Sequence, residues 1–208
     1  MKAIVFPGQG SQYVGMGKDF YESFSEAKEV FHEVDDALGL KLSNIILNGT
    51  KEKLDLTENT QPAIMTVGVS IYRVLKKYKI KDLNEYNFFA GHSLGEYTSL
   101  ICSDSLSLKD GAKILKERGR SMQEAVPINV GAMAALLGTE LDLINEVIKK
   151  HSSNEGVAEI SNDNCPGQIV ISGNKHKINK IIEDLKSNYN KKAILLPVSA
   201  PFHCSLMQ

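Results

Sequence analysis

The chain has 208 residues, of which 42% are hydrophobic and 24% charged, and its formal net charge is -1. This near-neutral balance gives no reason to expect nucleic acid or an anionic membrane as the main partner. No apolar run approaches the ~20 residues of a membrane span, and the apolar N-terminal stretch is too short for a signal peptide. We therefore expect a cytoplasmic enzyme, or one from an organelle stroma whose targeting segment has been removed.

The three cysteines, Cys102, Cys165 and Cys204, lie far apart in the sequence. They form no CxxC pair, and no histidine stands at ligand spacing from them. This pattern favours free thiols in a reducing compartment over a disulfide framework or a zinc site. No metal is expected.

The first part of the chain predicts one short strand followed by helices. A buried strand is expected over residues 2–6, ended by the loop PGQGSQ of residues 7–12. A pair of polar helices follows, through about Leu38. Thr60 is a plausible N-cap for the next helix, with Pro62 in its first turn, and apolar residues then recur at helical spacing.

The next segment predicts a strand, a sharp turn and two helices. Residues 87–90 are short and apolar, which is typical of a central strand, and they lead into GHSLGEY at residues 91–97. A helix then reaches about Cys102. Another helix is expected over residues 108–123, before Pro127.

After Pro127 the pattern becomes that of a small separate subdomain. The expected order is strand, helix, strand, strand, helix and strand, over residues 132–137, 141–151, 157–161, 168–172, 175–187 and 192–196. This β-α-β-β-α-β order is the ferredoxin-like split motif. The polar residues 162–164 are expected to form a turn, where their side chains would serve backbone hydrogen bonds.

These elements together predict an α/β protein with two subdomains. Residues 1–125 and 198–208 would form the larger one, and residues 126–197 the inserted ferredoxin-like one. A chain that stops about ten residues after the larger subdomain resumes is expected to be a fragment.

The segment Gly91-His92-Ser93-Leu94-Gly95 matches GxSxG directly between a predicted strand and a predicted helix. Such a turn strains the serine backbone and requires small residues two positions before and after it. It exposes the Ser93 hydroxyl at a helix N-terminus, where the Leu94 N–H could bind an oxyanion. GxSxG alone is common, but this context favours a nucleophile over a chance glycine-rich turn.

A nucleophilic serine needs a base, and His203 is the leading candidate among five histidines. It lies in the apolar, proline-constrained segment of residues 196–207, where a solvated histidine would be out of place. His92 is adjacent to Ser93, and neighbouring side chains diverge on a tight turn. The other three lie in polar helical segments. No Asp or Glu follows His203, so a third member would be earlier in the chain, missing, or not a carboxylate.

Seven blocks of the sequence, in order, resemble those of the malonyl-CoA:acyl-carrier-protein transacylases of type II fatty acid synthesis. The blocks are FPGQGSQ with VGMG, TQPAI, GHSLGEY, ERGRSMQEAVP, GAMAAL, PGQIVISG and LPVSAPFH. The resemblance implies an α/β-hydrolase-like parallel-sheet core with the ferredoxin-like insert. It also implies that family members continue well beyond the histidine, so we expect this chain to be truncated at its C-terminus. The missing part would include a carbonyl group that orients the imidazole in place of a carboxylate.

The same resemblance implies a role for each of nine residues. Ser93 would be the nucleophile and His203 the base, with the backbone N–H groups of Gln9 and Leu94 as the oxyanion hole. Arg118 would bind the acyl carboxylate. The remaining pocket residues would be Gln61, His92, Met122 and Asn162.

The pattern of the helix around Arg118 bears on this role independently. Its apolar stripe includes Leu108, Ala112, Leu115 and Met122, and Arg118 falls within the stripe. A guanidinium at an apolar position needs a carboxylate or carbonyl partner. That partner could be the malonyl carboxylate or an internal ion pair.

The implied activity is malonyl transfer from malonyl-CoA to the phosphopantetheine thiol of acyl carrier protein, through a malonyl-serine. It requires no cofactor, and the full-length protein is expected to be a monomer. Four alternatives remain open: a lipase or thioesterase, an acyltransferase domain of a polyketide synthase, an inactive truncated relative that only docks carrier protein, and a preference for methylmalonyl over malonyl.

Overall fold

The computed structural model describes residues 1–79, 82–127, 129–152, 156–196, 198 and 200–208. The chain divides into two compact units, Met1–Arg120 and Ser121–Gln208. The predicted subdomain boundaries at residues 126, 197 and 198 stay a prediction. Two residues of the predicted loop at 196–207, at positions 197 and 199, lie outside the described residues.

The first unit contains two strands and a series of helices. In chain order these are β1 (Ala3–Phe6), α1 (Lys18–Ser23), α2 (Ser25–Leu38), α3 (Leu42–Asn48), α4 (Lys51–Leu54), α5 (Thr57–Lys77), a 3-10 turn (Leu83–Glu85), β2 (Phe88–Gly91), α6 (Gly95–Cys102) and α7 (Leu108–Ala125). The last residues of α7 belong to the second unit.

The strands β1 and β2 pair in parallel, with Ala3 opposite Phe88 and Phe6 opposite Gly91. Because parallel strands end at the same edge of a sheet, the loops that follow them lie side by side. One face of this sheet packs on the core through Phe6. The other face is exposed, and Val5 retains 74% of its accessible surface.

The core of the first unit forms mainly between α2 and α5. Helix α2 buries Val30, Phe31 and Val34 on one face, as expected for apolar residues at helical spacing. Helix α5 buries its apolar residues against them. Phe6 at the end of β1 and the apolar residues of α7 pack against this core.

Two expectations for this region were wrong. Helix α5 begins at Thr57, so Thr60 is not its N-cap; instead the Thr60 hydroxyl donates to the Leu54 carbonyl at 2.6 Å. Pro62 is tolerated in the second turn. The short helices α3 and α4 were not predicted because each offers too few residues to show a helical period.

The second unit has the predicted strand and helix order. Its elements are β3 (Gly131–Leu137), α8 (Leu141–Lys150), β4 (Ala158–Cys165), β5 (Gln168–Asn174), α9 (Lys175–Tyr189), β6 (Lys192–Leu195) and a 3-10 turn (Ser205–Met207). The sheet order is β4-β5-β3-β6 with every neighbouring pair antiparallel. This is the ferredoxin-like arrangement, so the predicted α/β fold with its antiparallel part is confirmed.

Each face of the antiparallel sheet has its own apolar cluster. Residues of α8 and α9, including Ile144 and Ile181, cover one face. The other face carries Met133 and Val170, which pack with Phe202 from the C-terminal segment. The turn that holds His203 is therefore anchored on this second face.

The prediction of a turn at residues 162–164 was wrong. Strand β4 continues to Cys165, with register shifts at Ile160/Asn162 and at Asp163/Cys165. These bulges let polar residues remain in the strand, because a bulge leaves the extra residue unpaired and redirects its side chain.

Candidate active site

The candidate site lies at the edge of the parallel sheet where β1 and β2 end. Phe6 leads into the glycine-rich loop of residues 7–12, and Gly91 leads into His92 and Ser93. The His92 N–H donates to the Phe6 carbonyl at 3.0 Å. The sheet register thus fixes the serine turn against the loop that holds Gln9.

Ser93 has the strained backbone predicted for a nucleophile elbow. Its φ is 54°, a left-handed conformation that costs about 1–3 kcal/mol for a residue other than glycine. A Cβ on Gly91 would lie 1.9 Å from the Gly95 carbonyl carbon, and one on Gly95 would lie 2.4 Å from the Phe6 carbonyl oxygen. Both positions must therefore be glycine for the turn to close, and the elbow geometry expected from the sequence is present.

Two backbone donors stand at this edge. Helix α6 begins just after the elbow, with Leu94 as its N-cap residue. Within the described ranges, neither the Leu94 N–H nor the Gln9 N–H donates to another group of the protein. Donors at a helix N-terminus are suited to an oxyanion. Their assignment as an oxyanion hole stays a prediction.

Gly8 allows the loop of Gln9 to approach the elbow closely. A Cβ on Gly8 would lie 2.6 Å from His92 Nδ1 and 2.8 Å from the His92 carbonyl oxygen. The imidazole of His92 therefore lies against the loop backbone. The Gln9 side chain points to α5, where its Nε2 donates to Thr57 Oγ1 at 3.4 Å.

Arg118 of α7 reaches the nucleophile directly. One terminal nitrogen donates to Ser93 Oγ at 3.0 Å, and the other donates to Gln61 Oε1 at 2.5 Å. The guanidinium carbon lies 5.7 Å from the centroid of the Tyr97 ring. Burial lowers the pKa of Arg118, while Tyr97 and Glu96 act in the opposite direction.

The charge on Arg118 has no ion-pair partner among the described residues. The neighbouring cations of the helix are paired elsewhere: Lys116 with Glu58 at 3.1 Å and Arg120 with Glu117 at 2.8 Å. Among the described residues, Arg118 is therefore held by its hydrogen bonds to Gln61 and Ser93 and not by an internal ion pair.

Helix α7 can place Arg118 at this position because of the residue that follows it. A Cβ on Gly119 would lie 2.6 Å from the Glu58 Cα and 2.6 Å from the Thr57 carbonyl oxygen. Helix α7 therefore packs backbone to backbone on the first turn of α5, which brings Arg118 to the fully buried Gln61. The sequence reasoning missed both Gly119 and Tyr97. A glycine inside a helix, which usually has a packing reason, was the available signal.

His203 lies in the second unit, in a turn between buried residues. Its φ is 58°, its side chain is exposed, and Phe202 before it is buried. The turn is held at both ends. A Cβ on Gly131 would lie 2.3 Å from the Pro201 ring, and the Ser205 N–H and hydroxyl donate to the Glu159 carboxylate at 2.8 and 2.7 Å.

The other two predicted pocket residues also lie in the second unit. Asn162 is half-buried at the bulge of β4 and accepts a hydrogen bond from Ser161 Oγ at 3.1 Å. Met122 packs on the cluster of Met133 and Phe202. The structure therefore joins Ser93, Arg118 and Gln61 by contact and places His92, Leu94 and Gln9 at the same edge. It describes Met122, Asn162 and His203 in the second unit.

The three cysteines are free thiols, as the sequence predicted. Burial raises the pKa of Cys102 to about 12, so this thiol is protonated at neutral pH. No cluster of His, Cys, Asp or Glu suited to a metal ion occurs among the residues described.

Among the described residues, the helices are all too short or too polar to cross a membrane.

Comparison with known proteins identifies the family. The model of the acyl transferase domain matches residues 3–207. The malonyl CoA-acyl carrier protein transacylase of Bacillus subtilis (strain 168) is 45% identical over 206 residues, which are 99% of this chain and 64% of that relative.

Solved structures agree with this match. The acyl-carrier-protein-S-malonyltransferase from Bartonella henselae is 46% identical, with a TM-score of 0.92 over 100% of this chain and 66% of that one. A type II PKS acyl-carrier protein in complex with its malonyl-transacylase gives 37% identity and a TM-score of 0.92, over 99% of this chain and 65% of the matched one. The chain thus spans about two thirds of the length of these relatives, and it belongs to the acyl transferase domain family.

Proposed function

We propose that the protein transfers a malonyl group from malonyl-CoA to the phosphopantetheine thiol of an acyl carrier protein, through a malonyl-serine at Ser93. The observation that carries this proposal is the Arg118 guanidinium, 3.0 Å from the Ser93 hydroxyl and without an ion-pair partner among the described residues. A planar cation at this distance favours an acyl group that ends in a carboxylate. The names of the relatives support the same acyl group and the same acceptor.

In the first half-reaction, His203 takes the proton of Ser93 as the serine oxygen attacks the thioester carbonyl. The Gln9 and Leu94 N–H groups stabilise the oxyanion of the tetrahedral intermediate. The carbon–sulfur bond then breaks, and coenzyme A leaves with the proton that His203 returns. Arg118 binds the malonyl carboxylate throughout, and Gln61, His92, Met122 and Asn162 line the pocket.

In the second half-reaction, the carrier-protein thiol attacks the malonyl-serine carbonyl and gives its proton to His203. Collapse of this intermediate releases the malonyl thioester and restores the Ser93 hydroxyl. The acyl group visits the enzyme between two carriers, so the kinetics are ping-pong. Every bond change uses protein groups and the two thioesters, so the proposed reaction needs no metal or redox cofactor.

Intact mass spectrometry after incubation with malonyl-CoA tests the proposal. We expect one malonyl adduct on the wild-type chain and its loss in Ser93→Ala. The rate should fall by at least about 10³-fold, the scale on which removal of a nucleophile acts. Circular dichroism of the variant is the control, since the half-buried hydroxyl contributes little to packing.

The same experiment separates the alternatives. An adduct that survives until carrier protein is added supports a transferase, whereas rapid loss to water supports a hydrolase. A chain that binds carrier protein without any adduct would be an inactive docking relative. An adduct that persists in Ser93→Ala would remove Ser93 from the mechanism.

The carrier can belong to fatty acid or polyketide synthesis, and we propose the fatty acid carrier. Transfer rates to the two carriers, with malonyl-CoA and methylmalonyl-CoA compared, would decide the pathway and the acyl preference. A cytoplasmic location and a monomeric full-length protein stay predictions.

A further inference from the structure

We propose that Tyr97 is a positioning residue that sets the acyl preference by holding the plane of the Arg118 guanidinium. The proposal rests on the function proposed above and adds to it a residue with no assigned role. Tyr97 lies in the first turn of α6, four positions after Ser93. Its ring centroid is 5.7 Å from the guanidinium carbon.

Three contacts define where the guanidinium lies. The hydrogen bonds to Gln61 and Ser93 fix the two terminal nitrogens. Because the aliphatic part of the side chain is flexible, these two bonds still allow the guanidinium to tilt about the line that joins its terminal nitrogens. A ring beside the guanidinium removes this rotation, because a cation is attracted to the face of an aromatic ring.

The ring itself is held in place by the elbow and the core. The Tyr97 N–H donates to the Leu94 carbonyl at 3.1 Å, within the turn that starts at the nucleophile. The side chain is half-buried and packs against the core of the first unit. The position of the ring is therefore tied to that of the Ser93 oxygen.

An aromatic partner differs from a carboxylate in one respect that matters for substrate selection. A carboxylate would also orient Arg118, but it would neutralise the charge and compete with the acyl carboxylate. The Tyr97 ring orients the guanidinium and leaves its charge intact. Burial of Arg118 strengthens this contact, because cation–π attraction rises as the cation is desolvated.

The test compares specificity constants for malonyl-CoA and acetyl-CoA in two replacements, Tyr97→Leu and Tyr97→Phe. We expect the malonyl-to-acetyl ratio to fall about 3- to 30-fold in Tyr97→Leu, the range of a partly desolvated cation–π contact. Tyr97→Phe keeps the ring face and should keep the ratio. Tyr97→Met, whose unbranched and flexible side chain adapts better to an irregular space, replaces the leucine variant if that one fails to fold.

Tyr72→Leu is the matched control, because Tyr72 is also half-buried against the same core and stacks edge-on with Phe89. It should lower the melting temperature and leave the ratio unchanged. In an Arg118→Ala background, Tyr97→Leu should cause no further change in the ratio, since Tyr97 acts through Arg118.

Three results would overturn the proposal. Equal losses for the two thioesters in Tyr97→Leu would make Tyr97 a packing residue only. A loss of the ratio in Tyr97→Phe would move the effect from the ring face to the hydroxyl. A wild-type chain that forms no malonyl-serine would overturn the proposed function and, with it, the role of Tyr97. The wild-type measurement therefore separates failure of the proposed function from failure of the Tyr97 proposal alone.

Discussion

At the scale of single residues, the proposed function depends most on Arg118, which would distinguish a malonyl site from a general acyl site. Its side chain is half-buried, bonded to Ser93, and not ion-paired with any carboxylate of the described ranges. A buried cation without an ion-pair partner is unfavourable unless a ligand supplies the opposite charge. We propose that an acyl carboxylate offsets this cost when it binds to the guanidinium.

We therefore expect Arg118→Ala to reduce malonyl-CoA turnover about 30- to 1000-fold, corresponding to ~2–4 kcal/mol for a charge-assisted bidentate pair. Acetyl-CoA turnover should hold steady or rise. Arg118→Lys should rescue little, because an ammonium lacks the planar fork. Specificity constants for both thioesters, measured beside a thermal melt, check this. Equal losses of the specificity constants for malonyl-CoA and acetyl-CoA would contradict the proposal that Arg118 binds the acyl carboxylate.

The histidines give a second prediction at this scale. His203→Ala should slow formation of the malonyl-serine severely, whereas His92→Ala should do less damage. The imidazole of His92 lies against Gly8, and its backbone is fixed by the bond to Phe6. The acylation rate of each variant by intact mass is the measurement. Comparable losses, with folding confirmed by circular dichroism, would contradict this order.

At the scale of elements, α7 depends on a close approach to α5. Gly119→Ala would place a Cβ 2.6 Å from the Glu58 Cα, and backbone cannot move away as a side chain can. We expect a loss of about 1–3 kcal/mol in the free energy of unfolding, since overpacking outweighs the helix propensity of alanine. Malonyl transfer should fall as well, because Arg118 shifts with the helix.

Gly111→Ala is the control on the same helix. Its Cβ would meet the end of the Ile101 side chain at 2.5 Å, and that side chain can rotate away. Its effect on the unfolding free energy should stay within about 1 kcal/mol. Urea denaturation of both variants compares them. Similar unfolding free energies for the two would refute the backbone contact.

The elements also show what the sequence could and could not predict. The elbow was predictable because Gly91 and Gly95 flank Ser93 at the spacing that the turn requires. The ferredoxin-like order was predictable because each strand and helix carries its own apolar period. Helix α4 was missed because four residues show no period, and the strand at Asn162 was missed because bulges accommodate polar residues.

The site was predictable to a lesser extent. Motif residues such as Arg118 stood out as a charge on an apolar stripe, but their contacts depend on tertiary packing. Tyr97 carries no such signal, because tyrosines at half-buried helix positions are common, and the helical Gly119 signals close packing without identifying the element it packs against. The role of each residue can be inferred only from its contacts in the folded structure: Arg118 for Tyr97 and the first turn of α5 for Gly119.

At the scale of the whole molecule, the outer face of the parallel sheet is apolar and exposed. Val5 is 74% exposed and Phe88 52% exposed, and exposed apolar strands tend to associate. We expect concentration-dependent self-association of the chain, reduced by Val5→Ser. Light scattering over a concentration series measures it.

Leu141→Ser is the control, because Leu141 is an exposed leucine (41%) at the start of α8 in the other unit. It should leave association unchanged. Association that persists equally in both variants, or a monomeric wild-type chain at every concentration, would rule out the sheet face as the cause.

The parallel pairing of β1 with β2 has a consequence for how the protein is made. Ala3 pairs with Phe88, so β1 cannot pair until β2 has been synthesised. Helices α1 to α5 of the described chain lie between the two strands. Contacts this distant in sequence form slowly, because the intervening chain must first be ordered. The elbow at Ser93 closes against the Phe6 carbonyl, so the nucleophile reaches its strained conformation only after this pairing. Because Ser93 itself follows β2 in the chain, we expect the reactive serine to form only after both strands have been synthesised and paired.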